Sequence, residues 1–222
     1  MEKERSEERM LTAPYDCVIV ANGSFPLLPA ALDLLHEASM VIACDGAVRS
    51  LHQRGVVPSA IVGDLDSIPD VLRRHYADRL HGEAEQDTND LTKAIHFVCD
   101  SGLTEALILG ATGLREDHTI GNISLLLEYA RLLHRVEMLS DYGLFTPLPA
   151  RGGSLTSVKG QQISIFTPRP GVEIVHTEGL RWPISRRTLD SWWQGTLNEA
   201  LGESFTLNLS GGEGVIVYRQ HP

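Results

Sequence analysis

The sequence has few cysteines, few positive charges and no long apolar run, and each shortage excludes a class of protein. Three cysteines, Cys17, Cys44 and Cys99, lack C-x-x-C spacing, so we expect no disulfide framework or structural zinc site and predict a cytoplasmic location. Lys and Arg number 19 against 29 Asp and Glu, a net charge of −10, the wrong sign for nucleic acid or an anionic membrane. Polar residues interrupt the most apolar stretch, 120–133, so we expect no membrane helix.

What remains is the composition of a globular protein, with 42% hydrophobic and 22% charged residues over 222 positions. The first eleven residues carry both charge signs and lack the apolar centre of a signal peptide, so they predict a solvated leader. The acidic excess lies in the part up to Gly143, where 12 basic residues stand against 23 acidic ones, whereas the remainder has 7 against 6. Two domains are therefore predicted, at 12–143 and 150–222, with the boundary near Gly143–Gly153.

In the first part, short β-branched runs alternate with helical patterns. This alternation is typical of an α/β domain with a mainly parallel sheet. The predicted strands are 17–21, 40–45, 60–64, 105–110 and 135–140. The predicted helices are about 29–38, 46–54, 68–76, 88–101 and 117–133.

Beyond Gly143 the apolar segments are short, alternating and bounded by Gly or Pro. They predict antiparallel strands and an all-β sandwich as the C-terminal domain. The segments are 154–160, 161–168, 171–179, 203–212 and 214–220. The tryptophans, Trp182, Trp192 and Trp193, all fall in this part. Core or interface packing is expected for at least one of Trp192 and Trp193, because adjacent residues on a strand face opposite ways.

Acidic residues follow several strands of the predicted parallel sheet. Ligands of such sheets bind at the carboxyl ends of the strands. Asp45, Asp64 and Asp66 lie at these ends, and Asp87 and Asp90 open the helix before the fourth strand. Carboxylates in this number repel one another without a cation, and they suit Mg²⁺ bridged to substrate phosphates.

Each of these features also has a purely structural interpretation. Asp45-Gly46 suits a turn, and Ser67 could cap the helix that follows. Asp87 and Asp90 have capping-box spacing, and for Asp90 a cap and a metal ligand are equally supported. Lys93 lies one turn after Asp90, where an ion pair and a phosphate contact are both open. For Asp117 and His118 an N-cap and a solvated imidazole are the alternatives, and Gly110-x-x-Gly113 alone is a weak phosphate-loop signal.

The order and spacing of four blocks resemble the thiamine pyrophosphokinase family. Two segments near the C-terminus, 178–184 and 195–199, are also similar to that family. The four blocks are Cys44-Asp45-Gly46-Ala47, Gly63-Asp64-Leu65-Asp66-Ser67, Gln86-Asp87-Thr88-Asn89-Asp90-Leu91-Thr92-Lys93, and Gly110 to His118 with Asn122. The resemblance implies pyrophosphate transfer from ATP to the hydroxyl of thiamine, an α/β domain followed by a β-sandwich, and a homodimer.

The resemblance also implies roles for single residues. It places Asp64, Asp66 and Asp90 on Mg²⁺, with Asp45 beside them. Apart from the resemblance, the chemistry of the transfer needs a group that orients the alcohol or accepts its proton, and Asp45 and Asp87 are both candidates. Gln86 and Lys93 would lie near the phosphates or the reacting hydroxyl. The residues expected to hold ATP are Gly110, Gly113, Arg115, Asp117, His118 and Asn122. Trp182 and Asn198 match positions of a thiamine pocket that lies between subunits, where a tryptophan face suits the thiazolium cation.

The chain departs from the family pattern at two places, with Asn89 where Thr is usual and Leu197 where Ser is usual. Two other classes of protein share part of this pattern. A magnesium-dependent phosphohydrolase or nucleotide-sugar transferase would need only Asp64-Leu65-Asp66, and it leaves the later blocks unexplained. A non-catalytic nucleotide or thiamine sensor would tolerate the loss of an acid, yet every expected acid is present. The absence of a Walker-type loop further favours a pyrophosphokinase.

Overall fold

The structure is a computed structural model, and it describes residues 14–221, so the predicted leader, residues 1–11, lies outside the described residues. The described chain forms two compact units. The α/β unit comprises Pro14–Ile123 and Arg131–Ser140, and the β unit comprises Ser124–Ala130 and the chain from Asp141 onward. The domain limits 12–143 and 150–222 stay a prediction.

The α/β unit is built on six parallel strands in the spatial order β6-β5-β1-β2-β3-β4. The first three strands are buried along their whole length, as expected when helices cover both faces of a parallel sheet. The strands are β1 (Cys17–Val20), β2 (Val41–Cys44), β3 (Ala60–Gly63), β4 (Leu80–Gly82), β5 (Glu105–Leu109) and β6 (Arg135–Ser140).

Five α-helices connect these strands. They are α1 (Pro29–Glu37), α2 (Val48–Gln53), α3 (Asp70–His75), α4 (Asp90–Asp100) and α5 (Glu116–Leu132). A 3₁₀ turn at Asp45–Ala47 precedes α2, and a second at Ala77–Arg79 precedes β4. The middle of α5, Ser124–Ala130, groups with the β unit, where Glu128 pairs with Arg169.

The β unit contains two sets of antiparallel strands. One has the order β12-β9-β14-β7, and the other β11-β10-β13-β8. Their apolar side chains meet in one core that includes Ile165, Val217, Ile174 and Phe205. The strands are β7 (Gly143–Pro149), β8 (Gly152–Thr156), β9 (Gln162–Phe166), β10 (Glu173–Glu178), β11 (Ser185–Thr188), β12 (Asn198–Glu199), β13 (Ser204–Ser210) and β14 (Gly214–Gln220).

The predicted fold class, a parallel α/β domain followed by a β-sandwich, is confirmed. Trp192 and Trp193 lie on a 3₁₀ turn, Trp192–Gly195, and not on the strand that the packing expectation assumed. Trp193 is 72% exposed, whereas the ring of Trp192 packs on Phe166 with 5.7 Å between centroids. One of the two tryptophans therefore packs on a neighbour, but on a turn, where the side chains do not alternate between two faces as they do on a strand.

Candidate functional site

A cleft of about 470 Å³ lies at the carboxyl ends of the parallel strands of the α/β unit. It is lined by residues that follow β1, β2, β3 and β5 and by the first turns of α4 and α5. Of the residues predicted from the sequence, the lining includes Asp45, Asp64, Gln86, Asp90, Lys93, Gly113, Arg115, His118 and Asn122.

Three carboxylates gather at one end of this cleft. Asp45, Asp64 and Asp66 each place an oxygen within 4.8 Å of the other two. Asp45 is 3% exposed, and its Oδ2 accepts the Ser67 N–H at 3.2 Å. Its Oδ1 is buried and has no hydrogen-bond partner among the described residues. A buried, unpartnered carboxylate oxygen beside two further carboxylates is the environment that a hard cation satisfies.

Asp90 approaches the same cluster from the first residue of α4. A Cβ atom added at Gly63 would stand 2.9 Å from the Asp45 Cβ and 3.0 Å from the Asp90 Oδ1. The absence of a side chain at Gly63 therefore lets Asp45 and Asp90 converge behind the end of β3. Lys93, only 2% exposed, faces Asp90 with 3.6 Å between its Nζ and the Asp90 Oδ1, so the ion pair allowed by the sequence is present.

The pKa shifts of these acids have distinct causes. Burial raises the pKa of Asp45, and the charges of Asp64 and Asp66 add to the rise, while the Ser67 hydrogen bonds oppose it. Burial and the Asp45 charge raise the pKa of Asp90 against the pull of Lys93. The pKa of Asp64 is lowered, chiefly by the Asp66 backbone N–H, which donates to its Oδ1 at 3.2 Å. The two deeper acids thus carry an electrostatic cost that a bound cation would relieve.

The other wall of the cleft is the loop between β5 and α5. Gly113 and Arg115 lie on it, and Asn122 of α5 closes it by donating from Nδ2 to the Ala111 carbonyl at 2.8 Å. Arg115 pairs with Asp117, whose pKa falls to about 2, chiefly through this hydrogen bond. Asp117 lies in the first turn of α5 and also accepts the His118 N–H at 2.8 Å.

Several sequence interpretations need correction. The N-cap of α4 is Asn89, not a capping box of Asp87 and Asp90, because the helix begins at Asp90 and the Asn89 side chain accepts the Thr92 N–H. Ser67 does not cap α3, which begins at Asp70. Four predicted site residues of the α/β unit, Asp66, Asp87, Gly110 and Asp117, are not among those that line the cleft. Asp66 nevertheless has a carboxylate oxygen within 4.8 Å of those of Asp45 and Asp64. Trp182 and Asn198 belong to the β unit.

The segment after β1 is part of the site but was not predicted from the sequence. Asn22 and Gly23 line the cleft, and the Gly23 and Ser24 N–H groups donate to the carbonyls of Gly110 at 2.7 Å and Thr112 at 2.9 Å. A Cβ at Gly23 would stand 2.5 Å from the Gly110 carbonyl oxygen, so only glycine permits this approach. The carboxyl-end rule that identified Asp45 and Asp64 also applies to β1 and could have found this segment.

Comparison with known proteins identifies the family. Residues 31–138 match the model described as thiamin pyrophosphokinase, catalytic domain, and residues 143–218 match thiamin pyrophosphokinase, substrate-binding domain. The chain belongs to the thiamin pyrophosphokinase family. This match confirms the family resemblance that the sequence motifs indicated.

Curated relatives of the thiamin pyrophosphokinase family agree with this assignment. The chain is 26% identical to thiamine pyrophosphokinase of Bacillus subtilis over 172 residues, which cover 75% of this chain and 80% of that protein. It is 34% identical to thiamine pyrophosphokinase 2 of Arabidopsis thaliana over 145 residues, covering 58% of this chain and 52% of the relative. The chain thus spans about half the length of the plant relative.

Solved structures of the family share the fold. The crystal structure of the Bacillus subtilis thiamine pyrophosphokinase superposes with a TM-score of 0.75 at 23% identity, over 92% of this chain and 98% of that one. The yeast thiamin pyrophosphokinase gives a TM-score of 0.76 at 15% identity, over 96% and 89%. At these identities the similarity establishes the fold alone. Among residues 14–221, no helix has the length and apolar character needed to span a bilayer.

Proposed function

We propose that this chain is a magnesium-dependent thiamine pyrophosphokinase that transfers the pyrophosphoryl group of ATP to the hydroxyl of thiamine. The observation that carries the proposal is the carboxylate cluster of Asp45, Asp64 and Asp66, with its buried and unpartnered Asp45 Oδ1, in a cleft of a chain that belongs to this family. Thiamine diphosphate and AMP are the products.

Mg²⁺ would be held by Asp64, Asp66 and Asp90. The fit rests on the oxygen donors, on their mutual repulsion, and on the convergence of Asp90 with Asp45 over Gly63. When bound, the cation neutralises charge on the phosphates during transfer. The protein's own contribution is to fix these carboxylates and to place a cation, Lys93, beside Asp90.

The remaining residues of the cleft suit the binding and orientation of ATP. Pyrophosphoryl transfer needs alignment of the alcohol with the phosphate chain and donors where negative charge develops. Arg115 and His118 are exposed on the cleft wall, and Gly113 leaves backbone accessible there. We assign the triphosphate to this wall, with Gln86 and Lys93 on the side of the reacting groups.

The sequence left the acceptor of the alcohol proton open between Asp45 and Asp87. Asp45 is the stronger candidate, because it lines the cleft beside the carboxylates that would hold the cation, whereas Asp87 is exposed outside the lining. In the proposed step the thiamine oxygen forms a bond to the β-phosphorus, the bond from that phosphorus to the α-phosphate oxygen breaks to release AMP, and the proton passes to Asp45.

For thiamine, the proposal uses Trp182 and Asn198 of the β unit. The Asn198 amide brackets the Trp182 backbone, since its Oδ1 accepts the Trp182 N–H at 3.2 Å and its Nδ2 donates to the Trp182 carbonyl at 2.7 Å. Asn198 thus positions an aromatic ring that is 53% exposed and able to stack on the thiazolium cation. Leu197, where the family usually has Ser, is 71% exposed. A homodimer that shares the thiamine pocket and a cytoplasmic location complete the proposal.

The test is the incubation of the purified chain with thiamine, ATP and Mg²⁺. We expect thiamine diphosphate, and no product when a chelator removes the cation. Release of inorganic phosphate independent of thiamine would instead indicate a phosphohydrolase. Tight binding of thiamine and ATP without turnover would indicate a sensor. Either result would overturn the proposal.

A further inference from the structure

A chain of side-chain hydrogen bonds connects the two walls of the cleft. At one end the Asn89 Oδ1 accepts the Thr92 N–H and the Thr92 hydroxyl, each at 2.9 Å. In the middle the Asn89 Nδ2 donates to the Asn122 Oδ1 at 3.1 Å. At the other end the Asn122 Nδ2 donates to the Ala111 carbonyl at 2.8 Å.

The two ends of this series of hydrogen bonds determine which amide atoms donate and which accept. The Thr92 N–H can only donate, so the cap position must hold the Asn89 carbonyl oxygen. The Ala111 carbonyl can only accept, so it must face the Asn122 NH₂ group. With both ends fixed, the Asn89 NH₂ meets the Asn122 oxygen, and neither amide can flip without losing a partner.

This series of hydrogen bonds joins groups that have different roles in the proposed reaction. Asn89 directly precedes Asp90 and caps the helix that also carries Lys93. Ala111 lies in the loop assigned to the triphosphate, and Asn122 comes from α5. All three residues line the cleft. The Asn89 side chain thus connects the helix that carries Asp90 and Lys93 to the loop assigned to the triphosphate.

We propose that Asn89 is a positioning residue that, through Asn122, fixes the register of Asp90 and Lys93 against the nucleotide loop. The inference rests on the proposed function. It also explains the departure at this position: Thr could cap α4, but it has a single hydroxyl at one place, whereas Asn presents a separate acceptor to Thr92 and donor to Asn122.

The decisive variant is Asn89→Ser, because Ser retains a good N-cap but is too short to reach Asn122. We expect kcat to fall or the Kd for Mg·ATP to rise by about tenfold, since small errors of alignment are costly in transfer reactions. The KM for thiamine and the thermal unfolding midpoint should stay close to those of the unaltered chain. Thr92→Val is the matched control, because it removes one donor from the same cap and leaves the bond to Asn122 in place.

A double-mutant cycle completes the test. In an Asn122→Ala background, or Asn122→Ser if that variant does not fold, Asn89→Ser should cost no further affinity for Mg·ATP, because the connection is already broken. Losses that multiply across the two sites, or a Thr92→Val loss as large as that of Asn89→Ser, would overturn the inference.

The two proposals fail differently in this experiment. If the chain forms no thiamine diphosphate yet binds Mg·ATP, the proposed function is wrong, and calorimetry of Mg·ATP binding still decides the coupling of Asn89 and Asn122. If the chain does not bind Mg·ATP at all, both proposals are overturned.

Discussion

At the scale of single residues, several residues in and beside the cleft have positive φ angles, which residues other than glycine rarely adopt. Asp45 has φ of 38°, Leu65 66° and Leu114 63°, and each non-glycine residue in this region costs on the order of 1–3 kcal/mol. Asp45 and Leu114 line the cleft, and Leu65 lies between Asp64 and Asp66. This strain accompanies the turn that directs Asp64 and Asp66 toward Asp45.

Replacing the acids with their amides should remove activity without unfolding the protein. We expect Asp64→Asn, Asp66→Asn and Asp90→Asn each to lower turnover by about 100-fold, because a metal ligand loses its charge. Their thermal unfolding midpoints should stay near that of the unaltered chain. Asp33→Asn, on an exposed position of α1, is the matched control and should keep full activity. Full activity in two of the three variants would show that the acids serve only the local turns and caps.

At the scale of elements, the strands that local pattern predicted are those with continuous apolar runs. The limits of β1, β2, β3, β5 and β6 were predicted to within one residue. β4, with the sequence Leu-His-Gly, was missed because its stability comes from parallel pairing with β3 and not from its own propensity. β7 was missed because Pro147 and Pro149 argue against a strand, although its register with β14 runs from Gly143 to Pro149.

Asp16 connects the beginning of β1 to the beginning of β5. Its Oδ2 accepts the N–H groups of Thr104 at 2.8 Å and Glu105 at 2.9 Å, and these bonds, that of Thr104 first, hold its pKa below the ordinary 3.8. A folded-state pKa below the unfolded value gives stability that is present above about pH 4 and lost as pH falls through the folded value.

We therefore expect Asp16→Ala to lower the midpoint of urea unfolding at pH 7, and the difference from the unaltered chain to shrink as the pH falls below about 4. The same titration on Asp33→Ala provides the comparison. A difference that stays constant from pH 7 to pH 2 would mean that the carboxylate charge contributes nothing to the effect.

Across the whole molecule, the sequence predicted most of the carboxylate side of the cleft but fewer of the residues that hold that side in place. Asp45, Asp64, Asp90 and Lys93 follow from the carboxyl-end rule and from the spacing of their motifs. The role of Asn89 could not be predicted, because its partner Asn122 is 33 positions away. Long-range pairing of this kind depends on how helices pack and leaves no local periodicity.

The β unit exposes apolar side chains that suit an interface. Trp182, Trp193, Leu197 and Leu201 are all more than half exposed, in the part of the sequence with nearly balanced charge. Interfaces favour aromatic residues and low charge. Light scattering at micromolar concentration should give about twice the chain mass of 24.4 kDa.

The same measurement on variants locates the contact. Trp193→Ser should shift the chain toward a monomer, whereas Val71→Ser, at an exposed apolar position of α3, should not. A monomer in the unaltered chain would contradict both the homodimer and a thiamine pocket shared between subunits.

In the proposed reaction, two phosphoryl groups move together from ATP to thiamine. The most direct measurement is chromatography of the nucleotides after one incubation with thiamine, ATP and Mg²⁺. Attack at the β-phosphorus releases AMP, whereas an ordinary kinase attacks the γ-phosphorus and releases ADP. We predict AMP and thiamine diphosphate in equal amounts. ADP with thiamine monophosphate would show that only the γ-phosphoryl group moves and that the proposed reaction is wrong.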